Sequence, residues 1–302
     1  MDLRGEIARL KAEQRAVILA HNYQPPEIQE LADFVGDSLG LSVQAAATNA
    51  DIIIFCGVDF MAESAKILSP GKKVFLPASS AKCPMAAMCD APGVRKLKKK
   101  HPQAAVVAYV NTSAAVKAES DICCTSSNAI KVVASLPQEE IVFLPDCNLG
   151  DYVSRNVPGK RFILWPGFCP THENVTREAV ERVRSEHPQA KVLVHPECRP
   201  EVVQMADKVS STEGMMKYAA ASDGREFIIV TECDMSYRLR LANPGKTFYT
   251  IPGTTCPTMK KIRPQDILAC LEGQVPEVSL DESMMERARL PLERMMAVGR
   301  GD

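Results

Sequence analysis

Short apolar runs rich in Val, Ile and Phe recur along the chain at residues 17–20, 52–56, 74–76, 105–110, 141–144, 161–165, 191–194, 227–230 and 247–251. Continuous runs of this length predict buried strands of parallel sheets. Between them lie helical patterns, for instance at 28–48, 174–186 and 214–221, each long enough to carry a crossover between parallel strands. The last two open after Asn, Thr or Glu-type residues, which suit a helix start. The alternation predicts an α/β fold.

The strand ends repeat. Pro77 leads to Cys83-Pro84, Pro166 to Cys169-Pro170 and Pro252 to Cys256-Pro257, with the cysteines 86 and 87 residues apart. A second series carries polar groups: Ala20-His21-Asn22-Tyr23, Ala108-Tyr109-Val110-Asn111 and Val194-His195-Pro196-Glu197. Its spacings, 88 residues from His21 to Tyr109 and 86 from Tyr109 to His195, keep the same period. A unit of about this size suits a compact α/β domain used three times rather than a solenoid repeat. The expected domains are 1–100, with the tail 273–302 returning to it as a loop and one helix, then 101–186 and 187–272. Ligands of parallel α/β sheets gather beyond the carboxyl ends of the strands, where both series fall. Three domains facing inward around a pseudo-threefold axis would bring the three cysteines together. The alternative is that the Pro and Cys-Pro pattern recurs only as a strand terminator.

Composition narrows the function classes. Lys plus Arg at 36 against Asp plus Glu at 37 leaves a formal charge of -1, so there is no basic field for nucleic acid or an anionic membrane. The basic stretch 96–100 has no interleaved aromatic residue and reads as a solvated helix face. No apolar run approaches the roughly 18 residues of a membrane span, and residues 1–14 lack the apolar stretch of a secretory signal. The expected compartment is the cytoplasm and the expected partner a small molecule.

In a reducing compartment the 11 cysteines are better read as buried small hydrophobes or metal ligands than as disulfides. Cys56, Cys123, Cys124, Cys233 and Cys270 sit in or beside apolar segments and fit the first reading; Cys89 and Cys147 fall in loops or early helix, and Cys198 lies beside a polar strand end. Cys83, Cys169 and Cys256 fit the second. Three thiolates leave one position open, either on zinc with a catalytic water or on a cubane iron-sulfur cluster with one free iron. Spacing alone does not choose between them.

Taken together, Ala20-His21-Asn22-Tyr23-Gln24, Gly36-Asp37-Ser38-Leu39, Tyr109-Val110-Asn111, Cys124-Thr125-Ser126-Ser127-Asn128-Ala129, His195-Pro196-Glu197-Cys198, Ser211-Thr212-Glu213-Gly214 and the three spaced cysteines resemble the quinolinate synthase family of bacterial NAD biosynthesis, over about residues 17–272. The resemblance implies three homologous three-layer αβα domains and an oxygen-sensitive 4Fe-4S cluster held by Cys83, Cys169 and Cys256 with one iron open. It implies condensation of iminoaspartate with dihydroxyacetone phosphate to quinolinate, with loss of phosphate and water, and a functional link to an L-aspartate oxidase. Cys256 is followed by Pro257, Thr258 and Met259, so the Cys-x-x-Cys-x-x-Cys run of some members is absent.

The chemistry asks for proton carriers and for donors to carboxylates and phosphate. His21, Tyr23, His195 and Glu197 are the catalytic candidates. By the resemblance, His21, Ser38, Tyr109, Asn111, Ser126, His195, Glu197, Ser211 and Thr212 bind substrate; helix capping is the plainer role for Ser126 and Thr212. His101 and His187 each begin a His-Pro-Gln-Ala turn and read as surface residues, while His172 lies two residues past a Cys-Pro turn and has no assigned role. Two other classes stay open: another cluster- or zinc-dependent hydro-lyase, and a non-catalytic metal-stabilised protein.

Overall fold

The structure, a computed structural model, describes residues 2–302. Twelve strands form three sheets of four. The first contains β1 (Ala16–His21), β2 (Phe34–Gly36), β3 (Ile52–Cys56) and β4 (Lys73–Phe75); the second β5 (Ala105–Tyr109), β6 (Ile122–Cys124), β7 (Glu140–Leu144) and β8 (Arg161–Leu164); the third β9 (Lys191–Val194), β10 (Lys208–Val209), β11 (Glu226–Val230) and β12 (Thr247–Thr250). Their orders are β2-β1-β3-β4, β6-β5-β7-β8 and β10-β9-β11-β12, all pairings parallel. One topology is thus used three times, each sheet covered by helices on both faces, as expected for parallel sheets.

The expected strands are all present. Three more, β2, β6 and β10, form the matching edge of each sheet and are only two or three residues long, too short to leave an apolar run. One of them overturns an expected helix: 28–48 is not continuous but divides into Pro26–Gln29, β2 and Ser38–Ala47. Asp37 stops the strand and starts the helix, its carboxylate accepting the Gly40 N–H at 2.8 Å. Asp90, Asp146, Thr176 and Ser211 cap other helices in the same way.

The helix that follows each cysteine loop packs on the next sheet in the series. Ala91–Lys100 places Val94 against β5 and β7, and Arg177–Glu186 places Val180 and Val183 against β9 and β11. Pro264–Leu271, within the segment expected to belong to the third domain, carries Ile267, Cys270 and Leu271 back onto Ile18 and Ile54 of the first sheet and beside the helix Leu3–Glu13. The three units therefore close on one another as a ring. The last helix, Glu282–Val298, packs on Asp59–Leu68 of the first unit and also on Ala114–Lys117, β6 and Ala129–Ser135 of the second. No helix among the described residues is long and apolar enough to cross a membrane.

Candidate active site

The carboxyl ends of β1, β5 and β9 and the loops after β4, β8 and β12 open into one cavity. Its lining includes His21, Tyr23, Ser38, Tyr109, Asn111, Ser126, His195, Glu197, Thr212, Cys83, Cys169 and Cys256. Every sequence-predicted site residue but Ser211 is there. Ser211 is the N-cap of the helix Thr212–Ala221, its hydroxyl accepting the Gly214 N–H at 3.2 Å. Capping therefore falls to Ser211 and, in the second unit, to the Asn128 position, rather than to Thr212 and Ser126.

Two histidines sit in corresponding turns with their rings oriented by the backbone. The Tyr23 N–H donates to His21 Nδ1 at 3.2 Å, and the Glu197 N–H donates to His195 Nδ1 at 3.3 Å. With Nδ1 accepting, each neutral ring carries its proton on Nε2; His195 Nε2 stands 3.2 Å from the Ser126 hydroxyl. Burial lowers the pKa of His21 to about 4 and of His195 to about 3. Both are neutral N–H donors at physiological pH.

A hydrogen-bonded chain crosses all three units. Tyr23 Oη meets Thr231 Oγ1 at 2.6 Å, Thr231 Oγ1 meets His172 Nε2 at 2.8 Å, and His172 Nδ1 lies 2.8 Å from Glu197 Oε2, while the Tyr109 hydroxyl donates to Glu197 Oε1. His172 also stacks on His195 with ring centroids 4.8 Å apart. Burial pushes the Glu197 carboxyl up, but His172 and His195 beside it and the hydrogen bonds from His172 and Tyr109 win, holding it below the usual carboxylate range. Burial and the neighbouring Glu197 charge raise both Tyr23 and Tyr109. The consistent proton arrangement is Tyr23 O–H to Thr231, Thr231 O–H to His172 Nε2, and His172 Nδ1–H to an ionised Glu197. Sequence reasoning assigned nothing to Thr231 and left His172 without a role.

The cysteine loops share a further feature that sequence reasoning missed. Asp59 accepts the Cys83 N–H at 3.1 Å and Glu232 accepts that of Cys256 at 3.2 Å, while Asp146, at the corresponding place in the second unit, caps the helix Cys147–Asn156. These acids follow β3, β7 and β11 by two or three residues, at spacings of 87 and 86, so the signal was legible as a third series.

All 11 cysteines are free thiols. Burial pushes Cys83 up to about 12 and Cys169 well above the ordinary thiol range, so a neighbouring cation is what would make them thiolates. Among the described residues, the side-chain ligand groups gathered within 4.8 Å are Cys169 with His172 and Glu197, and Glu232 with Cys233 and Asp234. The Cys83, Cys169 and Cys256 sulfurs do not meet that closeness. Lys260 already neutralises the second group, 2.7 Å from both Glu232 and Asp234. Cys198 is fully buried against the Val230 carbonyl, and Cys89, in its loop, is buried too; Cys233, expected in the core, is half-buried among polar groups.

Three repeated α/β units meeting at three thiols, two neutral histidines and a buried carboxylate relay define a class: a three-domain α/β protein with an enzyme-like central site. The comparisons narrow it. The quinolinate synthetase A protein family matches residues 5–297. A quinolinate synthase of Pelobacter propionicus is 52% identical over 299 residues, covering 99% of this chain and 98% of its own. Quinolinate synthase 1 of Methanosarcina acetivorans and the quinolinate synthase of Caldicellulosiruptor bescii are each 51% identical over 298 residues, with 98% of both chains covered. The chain belongs to the quinolinate synthase family.

Proposed function

We propose that the protein condenses iminoaspartate with dihydroxyacetone phosphate to quinolinate, releasing phosphate and water, with Cys83, Cys169 and Cys256 holding a 4Fe-4S cluster. The observation that carries this reading is the meeting of one cysteine loop from each unit in a single cavity that Tyr23, Tyr109 and Glu197 also line, these three being joined behind its wall through Thr231 and His172. The donor set fits a polynuclear group: a single zinc about 2.3 Å from each of three sulfurs would need them within about 4 Å of one another, closer than they stand. Bound there, the cluster supplies an open iron as Lewis acid for a substrate oxygen.

The chain's own groups do the rest. Ser38, Ser126, Thr212 and the Asn111 Nδ2 amide bind carboxylates; Asn111 Oδ1, an acceptor buried without a protein partner, takes a hydroxyl or N–H donor of the ligand. Thr212 Oγ1 is held in place by Asn22 Nδ2 at 2.8 Å. The Nε2–H groups of His21 and His195 orient substrate oxygens without adding charge. Glu197, ionised at rest, is the terminal acceptor: a proton lost in enolisation or ring aromatisation enters at Tyr23 as the Tyr23 proton moves to Thr231, the Thr231 proton to His172 Nε2 and the His172 Nδ1 proton to the carboxylate. A structural metal site would need none of these groups facing it.

The Cys169, His172 and Glu197 group supports a second reading, a mononuclear metal site. Its His and Glu atoms are already engaged with Thr231, Tyr109 and each other, which favours the relay. The test is an anaerobic assay with iminoaspartate generated by an L-aspartate oxidase and dihydroxyacetone phosphate added. Quinolinate formation that depends on both substrates is expected; its absence from protein with full iron content would overturn the proposal. The proposed setting is a cytoplasmic enzyme with small-molecule partners and neither nucleic acid nor membrane.

A further inference from the structure

Residues 299–302 lie across the heads of three corresponding helices, one from each unit. In the first unit, Arg300 makes a two-pronged ion pair with Asp37, the N-cap of Ser38–Ala47, at 2.8 and 2.6 Å. In the second, the Gly301 N–H donates to the Ser127 carbonyl at 2.9 Å and Asn128 Nδ2 donates to the Gly299 carbonyl at 3.1 Å. In the third, the Ser211 hydroxyl donates to the Asp302 carboxylate, and Lys217 Nζ reaches the Asp302 carbonyl at 2.8 Å. Two glycines keep this path clear. A Cβ at Gly40 would stand 3.2 Å from Asp37 Oδ1 and 3.3 Å from the Arg300 guanidinium, and one at Gly214 would stand 1.9 Å from Ser210 Oγ and 2.6 Å from the Asp302 carboxylate. Both occupy the third position after the N-cap, in the first and third units.

The chemistry of the cavity gives this segment a purpose. Asp37 lines the cavity beside Ser38, where a substrate carboxylate is proposed to bind, and its side chain is 8% exposed. A bare carboxylate there would repel an anion strongly, because charges interact more at low dielectric than in water. Arg300 cancels that charge, and its planar fork matches both carboxylate oxygens in a way a lysine ammonium does not.

We propose that Arg300 is a positioning residue that neutralises Asp37 and thereby sets the affinity of the site for dicarboxylates, with Asp302 holding the third-unit helix head in register. The proposal rests on the reading that Ser38, Ser126 and Thr212 receive substrate carboxylates.

Succinate binding, measured calorimetrically on the anaerobic holoprotein, tests it. Arg300→Ala should weaken succinate by about tenfold or more and raise the KM for the dicarboxylate substrate, with kcat and the visible absorbance changed little. Arg300→Lys should fall between. Adding Asp37→Asn to Arg300→Ala should restore most of the affinity, since Asn still caps the helix but carries no charge. Parent-like binding by Arg300→Ala, or a double variant as weak as the single one, would overturn the proposal. Ser126→Ala is measured alongside: if it too binds succinate like the parent, the carboxylate site itself is wrong, whereas weakening there with none at Arg300→Ala removes the role of Arg300 alone.

Discussion

Thr231 is the narrowest point of the proton chain, and replacing it by Val removes one hydroxyl at nearly constant volume. That hydroxyl is fully buried and makes two contacts, 2.6 Å to Tyr23 and 2.8 Å to His172. Losing it strands a tyrosine O–H and an imidazole nitrogen, each at about 1–3 kcal/mol, so the variant should unfold at lower urea. The kinetic effect is separable from that loss. A positioned proton carrier contributes about 10²–10⁴ in rate; Thr231→Val leaves Glu197, His172 and Tyr109 in place, so a fall in kcat of about 10²-fold is expected. Iron content and succinate affinity should match the parent. Thr231→Ser, which retains the hydroxyl, should recover turnover to within a few-fold. A Thr231→Val enzyme with parent-like kcat would refute the relay, because only the hydroxyl connects Tyr23 to His172.

Glu197→Gln should keep iron and succinate binding and lose most turnover, since a charge-assisted hydrogen bond from His172 and the proton acceptor go together; quinolinate made within a few-fold of the parent rate would move the base role to Tyr23 or His21. Asn111→Ala and Ser126→Ala should each weaken succinate by about one to two decades, the worth of about 1.5–3 kcal/mol for a hydrogen bond to a charged group, with the visible spectrum unchanged. For pH, the folded pKa values of His21 and His195, about 4 and about 3, lie below the ordinary 6.5. The unfolded chain therefore takes up protons first on acidification, and stability present above pH 6.5 is lost as pH falls. Between pH 6.5 and 5 the loss is about 1.5 kcal/mol per histidine, read as a falling urea midpoint whose slope flattens in His21→Asn; an equal slope in that variant would contradict the burial argument.

The threefold architecture was legible because it is written twice, in apolar runs and in strand-end residues 86–88 positions apart. Longer central strands such as β3 and β11 are buried on both faces and so nearly uniformly apolar. The edge strands β2, β6 and β10 left no such mark, and β2 hid inside what reads as one long helix because Asp37 restarts the helical pattern only two residues after Val35. At the site, residues on repeated motifs were legible; those defined only by contacts between units were not. His172 and Thr231 are 59 residues apart and meet only once the second and third units pack. Arg300 is 263 residues from Asp37, and nothing local to either residue signals the pair.

The central claim is that three thiols, one from each unit, hold an open iron-sulfur cluster. Iron and acid-labile sulfide, quantified in anaerobically purified parent protein and in Cys169→Ser, test it most directly. The account predicts about four irons and four sulfides per parent chain, with neither retained stably in Cys169→Ser. Zinc in place of iron in an active parent protein, or full iron in reconstituted Cys169→Ser, would contradict it.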